Sequence, residues 1–589
     1  MKKLIPIFII VLLVYACKKD GSTLPQGQVD NDAFTAYETH FLDALWKLDP
    51  NWATEVGYHK YDSVLVIPNS SSRSAMLNFT KVQMDSLAKY NPGTLSDANR
   101  MDYKMIQNQL DATQWALQQE KAYEWNPGTY NVIGSFAHIL NEHYAPLAKR
   151  LRSFYQKMEA IPAYYKEAQK QIKNPVPELT TLTVEQLTGG VSVIEKDFAD
   201  SLKKTNIPAA EQKQMLARAQ ASADVIKNFA TWLKNMKNDH PRSFRLGKEL
   251  YEGKFKYHIQ SAGTAQQLYN AAVERKKDLH GYMAKICVKL WPKYFGQAPM
   301  PKDSLQMIAQ MIDTLSAKHV KPDEFQGAIE KEIPQLVSFI KAKNLITLDD
   351  SKPLVIRKEP AYMAGVAGAS ISSPGPYDKN GNTYYNVGSL AGWSPEKAES
   401  YLREYNQYIL QILCIHEAIP GHYTQLVYAN KSPSLIKSVL GNGAMIEGWA
   451  VFAEQMMLEN GFGNNEPEMW LMWYKWNLRS ICNTIVDYSV HTGNMDKDAC
   501  VKFLTREAFQ QKAEAEGKWR RVSVTSVQLT SYYAGYKEII DLRDAYRKKL
   551  GDKYTVKEFN ERFLSFGSAP VKYIKEVMLG NKPADNGAK

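Results

Sequence analysis

Cysteine is scarce in this sequence, and the cysteines that occur are too scattered to suggest a shared structural role. Five are present in 589 residues, and no two of them form a C-x-x-C pair. A disulfide framework is therefore not expected, and neither is a zinc site built from cysteine. Beyond residue 17, the sequence predicts buried thiols at Cys287, Cys414, Cys482 and Cys500.

Long basic runs and internal repeats are also missing. Lys and Arg number 73 against 62 Asp and Glu, a formal net charge of +11, but no five of these cations are adjacent. The cations are spread along helical segments, so a nucleic-acid partner is not expected. No fixed-period repeat occurs, which argues against a solenoid or propeller architecture.

A short apolar run near the start predicts a secretory signal rather than a membrane span. Residues 4–14 are apolar and follow Met1-Lys2-Lys3, but so short a run does not cross a bilayer as a helix. The run ends in Val14-Tyr15-Ala16-Cys17, which resembles a bacterial lipobox.

From this start we expect a signal peptide over residues 1–16, a lipid on Cys17 and a polar tether over residues 17–31. These features predict a lipoprotein anchored in the outer membrane, either periplasmic or exposed at the cell surface. The alternative is an ordinary signal peptide with a chance cysteine after it.

The rest of the chain predicts a mainly α fold, with a helical N-terminal region over 32–350 and a second, catalytic region over 351–589. Strand-like sequence is confined to one small β element at about 353–390, where Asn380-Gly381 between two extended runs predicts a hairpin. Helical periodicity is clear in these long segments: 32–48, 98–122, 145–172, 208–238, 264–292 and 320–343.

A helix that begins after residue 393 leads to the first candidate metal ligand. Ser394-Pro395 suits a helix start, with serine as N-cap and proline in the first turn. Apolar side chains spaced three and four apart then predict one buried seam that His416 continues: Leu402, Tyr405, Ile409 and Ile412.

The residues from His416 to His422 read H-E-A-I-P-G-H, which lengthens the zinc motif H-E-x-x-H by two residues. On an unbroken helix, residues six apart lie roughly 120° apart around the axis, so these imidazoles would not meet. Pro420 and Gly421 remove the obstacle, because proline disrupts the preceding turn and glycine accepts unusual dihedral angles. We expect a local bulge there that turns His422 back toward His416.

A zinc site of this kind needs a third protein ligand and one open position. Glu447, in the stretch Ile446-Glu447-Gly448-Trp449-Ala450, is well placed, because 25 residues after His422 allow a turn and an antiparallel return. That stretch is similar to the one that supplies the third ligand in aminopeptidase-N-like enzymes. Glu454, two turns further on, either supports a ligand or contacts the substrate.

One zinc ion held by His416, His422 and Glu447 would lower the pKa of its bound water toward neutrality. Glu417 would then take the proton as general base and pass it to the leaving amine. Imidazole and carboxylate ligands also accept other divalent ions, so the native metal stays open.

These motifs resemble the bacterial family known as domain of unknown function 885 (DUF885), placed among the zincin-like, gluzincin-type peptidases. His416 to Gln425 matches its H-E-A-x-P-G-H-x-x-Q motif, and Glu447 to Glu454 matches E-G-W-A-x-x-x-E. The resemblance implies a large helical zincin-like fold, in which Gln425 either contacts the substrate or supports the site. The family's opening signature is similar to a third set of residues: Pro50-Asn51-Trp52-Ala53-Thr54, Gly57, His59, Tyr61 and Asp62.

Two further stretches match the family less completely. Arg479, Asp487 and His491 resemble its R…D…H helix and form, with Asn483, a polar stripe that either faces solvent or lines the cleft. The resemblance implies a catalytic role for His491 and substrate or supporting contacts for Arg479 and Asp487.

The second stretch runs from Arg521 to Gly535. The family pattern has Arg-Tyr, then Pro-Gly-Gln, then Tyr and Gly. Here Val522 follows Arg521, and Ser526-Val527 stands in place of Pro-Gly before Gln528. The resemblance implies that Tyr532 donates to the oxyanion and that Arg521 and Gln528 contact substrate or support the site. A purely structural Tyr532 is the alternative.

Tyr385 and Asn386 lie in the extended run 384–387. This run is either an edge strand that pairs with an extended peptide substrate or a hairpin that shields the core.

The sequence therefore predicts a zinc metallopeptidase that acts on short or unfolded peptides. A non-catalytic metal- or peptide-binding envelope lipoprotein and a cell-wall amidase are the alternatives. Cleavage preference, exo- or endo-action and oligomeric state are left open.

Overall fold

A computed structural model of the chain describes residues 26–359, 369–378 and 381–580. The predicted signal peptide, the predicted lipidation site Cys17 and the Asn380 of the predicted turn lie outside these residues. The helix-rich, mainly α fold that the sequence predicts is confirmed, with one small sheet of three strands in the described part.

The N-terminal half is a succession of helices. The first begins at Gln26, so residues 26–31 are helical and the predicted tether is wrong there. The helices are α1 (Gln26–Leu48), α2 (Pro50–Glu55), α3 (Ser70–Leu87), α4 (Asp97–Trp115), α5 (Ala122–Trp125), α6 (Ile133–Asn141), α7 (Leu147–Met158), α8 (Ile161–Gln171), α9 (Pro177–Gly190), α10 (Phe198–Leu202), α11 (Ala209–Asn235), α12 (Lys248–His258), α13 (Ala265–Phe295), α14 (Ser304–Ser316) and α15 (Phe325–Lys343).

The segment 145–172, predicted as one helix, is two helices, α7 and α8. Pro162 stands in the first turn of α8, where its missing N–H costs nothing. In an uninterrupted helix the same proline would remove a hydrogen bond and clash with the preceding turn, so the chain breaks at Glu159-Ala160.

The three strands are β1 (Leu354–Lys358), β2 (Ala369–Ser372) and β3 (Thr383–Val387). β3 lies in the middle, parallel to β1 and antiparallel to β2. The prediction of a hairpin between the first and last strands is wrong, because parallel partners need a long crossover. The prediction of an edge strand at residues 384–387 is also wrong, since both sides of β3 are already paired.

The C-terminal half returns to helices and carries the candidate ligands. These helices are α16 (Pro395–Glu404), α17 (Gln407–Glu417), α18 (His422–Asn430), α19 (Leu435–Val439), α20 (Gly443–Glu459), α21 (Pro467–Thr492), α22 (Lys497–Glu507), α23 (Lys512–Val524), α24 (Ser531–Leu550), α25 (Val556–Leu564) and α26 (Val571–Leu579).

The predicted helix start at Ser394 is confirmed, because its hydroxyl accepts from the Lys397 N–H at 3.3 Å. The predicted seam is buried but is divided between α16 and α17. Asn406 begins the second helix by accepting hydrogen bonds from the backbone N–H groups of Tyr408 and Ile409.

Two apolar cores hold the helices together. The larger draws side chains from Phe34 to Met578, and the smaller gathers side chains between Leu65 and Leu233. The larger core contains side chains from both sides of residue 350. The domain boundary placed at that residue stays a prediction. Cys287, Cys414 and the two later cysteines are buried free thiols, as the sequence predicts. In the described ranges, no helix combines the length and apolarity that a membrane crossing requires.

Helices α20 and α24 approach each other closely because two glycines meet where they cross. A Cβ on Gly535 would lie 1.7 Å from the Ala444 carbonyl oxygen, and one on Gly448 would lie 2.2 Å from the Gly535 carbonyl carbon. Glu447 directly precedes Gly448, and Tyr532 lies about one turn before Gly535. The glycine contact therefore brings Glu447 and Tyr532 toward the same point.

Replacing Gly535 with alanine should destabilise the protein by about 1–3 kcal/mol or more, because the new methyl group has no space between the helices. Gly443→Ala is the matched control, since a Cβ there meets nothing within 4 Å. Chemical unfolding of both variants measures the difference. Equal stability of the two would contradict the close helix contact.

Candidate metal centre

The two histidines meet because the chain reverses between α17 and α18. Gly421 donates its N–H to the Ile415 carbonyl at 2.9 Å, and a Cβ on Gly421 would lie 1.9 Å from the His416 carbonyl oxygen. Only glycine fits this approach. Trp449 Nε1 donates to the Pro420 carbonyl at 2.9 Å and fixes the turn to α20. The sequence predicts a bulge within one helix, whereas the structure has a complete break between two helices.

Three donor atoms converge at this reversal. The His416 and His422 rings are 4.8 Å apart and nearly perpendicular, at 85°. Glu447 Oε2 lies 3.4 Å from His422 Nε2 and 3.7 Å from His416 Nε2. Donors bonded to one tetrahedral zinc at about 2.0–2.2 Å stand roughly 3.3–3.6 Å apart, so the spacing fits a single ion.

The surroundings of these donors also fit a cation. Glu447 Oε2 and His422 Nδ1 are buried and have no hydrogen-bond partner among the described residues. Burial lowers the pKa of His416, but the nearby Glu447 carboxylate and the hydrogen-bonded Glu454 carboxylate outweigh burial and raise it to about 10. Burial favours the neutral Glu447, yet the two histidines hold its pKa well below the usual range.

Glu454 fixes the His416 ring through the Nδ1 atom. Its Oε1 accepts from His416 Nδ1 at 2.7 Å, which directs Nε2 toward Glu447. Trp476 and Trp473 donate their indole N–H groups to the same carboxylate at 3.0 and 3.1 Å. A carboxylate behind a ligating histidine fixes the ring and its tautomer and strengthens metal binding. Of the two roles left open for Glu454, its contacts are those of ligand support.

Glu417 shares the cavity of the two histidines. One atom from each of His416, Glu417 and His422 lies within 4.8 Å of the others. The Glu417 carboxylate accepts no hydrogen bond from the described residues, and burial raises its pKa. It is the last residue of α17 and is only partly buried, so it has the freedom to exchange a proton.

Tyr532 and Arg521 lie near His416. The Tyr532 ring lies 6.4 Å from the His416 ring and nearly parallel to it. Arg521 Nη2 donates to the Tyr532 hydroxyl oxygen at 3.2 Å and to Gln528 Oε1 at 2.7 Å. The structure thus brings Arg521, Gln528 and Tyr532 together beside the metal-binding residues.

The polar stripe on α21 is neither solvated nor directed at the metal. Asp487 accepts from the backbone N–H groups of Val527 and Leu529 at 3.2 and 3.0 Å. These bonds hold the loop that presents Gln528, so Asp487 positions the loop.

The hydrogen bonds of His491 go to backbone carbonyl groups and not to the candidate metal ligands, so its catalytic role stays a prediction. Its Nε2 donates to the carbonyl oxygens of Val522 and Thr525 at 3.0 and 2.9 Å. Fifteen residues separate it from Trp476, which contacts Glu454, and at 1.5 Å per residue this is about 22 Å along α21.

Three other residues expected near the substrate are structural. Gln425 is fully buried and donates to Ser568 Oγ at 2.9 Å. Tyr385 is fully buried in β3. Asn386 accepts from Arg357 Nε and donates to Ser372 Oγ, both at 2.7 Å, and so ties the three strands together. All three side chains are fully buried, which fits the supporting role that was open for each of them.

Sequence reasoning missed several parts of the site. Gly448 and Gly535 stand in motifs quoted for their polar residues, yet both are needed for helix contact. Trp473 and Trp476 are three apart on α21, a spacing that places both on one face of the helix. Glu514, which pairs with Arg479 at 2.6 Å, had no signal because its neighbours are ordinary polar helix residues.

Comparison with known proteins gives a family and a fold. The model of the family described as bacterial protein of unknown function (DUF885) matches residues 50–578. A candidate lipoprotein of unknown function from Shewanella oneidensis is 50% identical, with a TM-score of 0.83 over 93% of this chain and 99% of that one. A second candidate lipoprotein, from Colwellia psychrerythraea, is 15% identical, with a TM-score of 0.74 over 94% and 100%, and shares the fold. No functionally curated protein matches.

Replacing Glu454 with glutamine should weaken zinc binding by roughly 10- to 100-fold, because the charge that supports His416 is lost. Glu459→Gln, an exposed change at the end of the same helix, is the control. Competition with a coloured chelator measures both affinities. An unchanged affinity in the Glu454 variant would remove it from the metal centre.

The stability of the protein should fall as the pH drops from about 6.5 toward 4, partly through His491. Burial lowers its pKa to about 4, so the folded state stays unprotonated where the unfolded chain gains a proton. This costs up to roughly 3 kcal/mol at low pH. His491→Gln should show a shallower pH dependence in urea unfolding; an identical slope in both proteins would refute the assignment.

Proposed function

The chain belongs to the DUF885 family of bacterial proteins, and we propose that it is a zinc-dependent hydrolase that cleaves peptide bonds in short or unfolded peptides. The observation that carries the proposal is the convergence of His416, His422 and Glu447 on one point beside an unpartnered Glu417 carboxylate. Three protein ligands and an adjacent base are the arrangement of a catalytic rather than a closed zinc site.

Each residue has a defined task in this proposal. Zinc, when bound, supplies a Lewis acid that lowers the pKa of water to about 7 and polarises a carbonyl. His416, His422 and Glu447 hold it, and Glu454 keeps the His416 ring in place. This assignment also explains the buried Glu447 oxygen that lacks a hydrogen-bond partner.

Glu417 transfers the proton in this proposal. Its carboxylate takes a proton from the attacking water and returns it to the departing amine nitrogen. Tyr532 donates a hydrogen bond from its hydroxyl group to the substrate carbonyl oxygen as negative charge develops there, and it keeps its proton. Arg521 supports this role by donating to the Tyr532 oxygen, which leaves the Tyr532 proton free for the substrate.

We further propose that the enzyme works in the bacterial cell envelope, anchored to the outer membrane by a lipid on Cys17. The lipobox-like sequence Val14-Tyr15-Ala16-Cys17 supports this location. The half-identical Shewanella oneidensis relative, described as a candidate lipoprotein, supports it too.

A non-catalytic metal-binding lipoprotein is the second candidate. It is favoured by one observation: Glu417 lies within ligand distance of the two histidines and would close the site as a fourth ligand. In that case zinc would be structural and no position would remain for water.

Glu417→Gln should keep stoichiometric zinc and lose peptide hydrolysis by roughly 10²- to 10⁴-fold, because the general base is gone. Elemental analysis and mass spectrometry of a mixed-sequence peptide library measure the two properties. Cell-wall peptides form a parallel panel that separates a peptidase from an amidase.

Glu516→Gln, an exposed change of the same kind, is the matched control and should retain both zinc and turnover. Full turnover in the Glu417 variant would exclude the proposed base. Loss of zinc together with loss of activity would favour the closed, structural site.

A further inference from the structure

Positive charge is concentrated beside the metal centre, between α21 and α23. We call this group the cationic cluster: Lys475, Arg479, Lys518 and Arg521. Only two carboxylates, Glu404 and Glu514, form ion pairs with it in the described part of the chain. Burying excess positive charge is costly, so such a cluster is expected where an anion binds.

The ion pairs leave part of this charge unmatched. Lys475 pairs with Glu404 at 2.9 Å, and both are buried. Arg479 pairs with Glu514 at 2.6 Å, and Lys518 lies 4.0 Å from that same Glu514 oxygen. One carboxylate therefore faces two basic side chains, and burial lowers the pKa of Lys518 well below its ordinary value.

Arg521 is the cation that lacks a carboxylate. No Asp or Glu within the described ranges lies at ion-pair distance from it. Its Nη2 donates to Gln528 and Tyr532, while Nε and Nη1 make no hydrogen bond to the described residues. A guanidinium carries five N–H donors, so a carboxylate has room to bind in bidentate fashion. Arg521 is partly exposed, which makes it accessible to a ligand.

The cluster is tied directly to the metal centre. The Arg479 guanidinium lies 4.9 Å from the Trp476 ring centre, and Trp476 donates to Glu454. Arg479 Nη1 is buried without a hydrogen-bond partner. Arg521 contacts Tyr532, whose ring lies 6.4 Å from that of His416. An anion bound at Arg521 thus sits next to the groups that would act on a peptide bond.

We propose that Arg521, within the cationic cluster, binds the C-terminal carboxylate of the substrate, so that hydrolysis releases the last one or two residues of a peptide. The inference rests on the proposed function and names its substrate class. One extended residue spans about 3.3–3.6 Å, so release of one or two residues would place the bound carboxylate roughly 4–7 Å beyond the cleaved bond. An acidic side chain offers the same chemistry, and the test separates the two.

Three forms of one cleavable peptide provide the test: a free C-terminal acid, the C-terminal amide, and an amide with glutamate as last residue. The wild type should prefer the free acid over the plain amide in kcat/KM by roughly 10- to 100-fold. Arg521→Gln should lower kcat/KM for acid and amide alike, because Tyr532 loses its support, and should in addition bring the ratio of acid to amide close to one. Arg520→Gln, an exposed neighbour paired with Glu185, is the control and should keep it.

The same comparison without turnover uses the Glu417→Gln protein and calorimetry. N-acetyl-trialanine should bind more tightly than its amide, and adding Arg521→Gln should abolish the difference. Equal binding of acid and amide would overturn the inference. A kcat/KM that rises only for the amide with glutamate as last residue would overturn it too, because the site would then recognise an acidic side chain.

Failure of the proposed function is separable from failure of this inference. A wild-type protein that cleaves no peptide but binds the acid selectively contradicts the hydrolase and supports the carboxylate site. Cleavage of acid and amide at the same rate supports the hydrolase and contradicts the carboxylate site.

Discussion

The hydrogen bond between His416 and Glu454 is the interaction on which the candidate metal centre depends. It fixes one imidazole with Nε2 facing Glu447, and two tryptophans on α21 hold the carboxylate in turn. Because Glu447 and Glu454 lie two turns apart on α20, one helix supplies both a ligand and the support of another ligand. The metal centre is thereby built into the core.

Close backbone contacts set the remaining geometry. Gly421 lets the chain reverse against the carbonyl of His416, and Gly448 with Gly535 lets α24 approach α20. A side chain at any of these positions would push His422 or Tyr532 outward. The glycines of the motifs therefore allow close backbone contact, whereas the histidines and glutamates supply the candidate ligands and the candidate base. The loop held by Asp487 completes the cluster by presenting Gln528 to Arg521.

The sequence predicts the helical fold and the residues that converge at the reversal, because helical periodicity and ligand type are local properties. It did not predict the order of the sheet, since the parallel pairing of β1 with β3 depends on a crossover rather than on the Asn-Gly signal. The roles of Asp487 and His491 do not follow from the sequence either, because a polar stripe looks the same whether it faces a cleft or a buried loop. Such roles depend on which backbone groups lie opposite.

X-ray absorption spectroscopy of the zinc-loaded protein tests the central claim most directly. One zinc per chain should be coordinated by two imidazole nitrogens and one carboxylate at about 2.0–2.2 Å, with one light-atom position left for solvent. Replacing His422 with alanine should remove one imidazole from the spectrum. Failure to bind zinc, or a shell in which Glu417 replaces the solvent, would contradict an open site held by His416, His422 and Glu447.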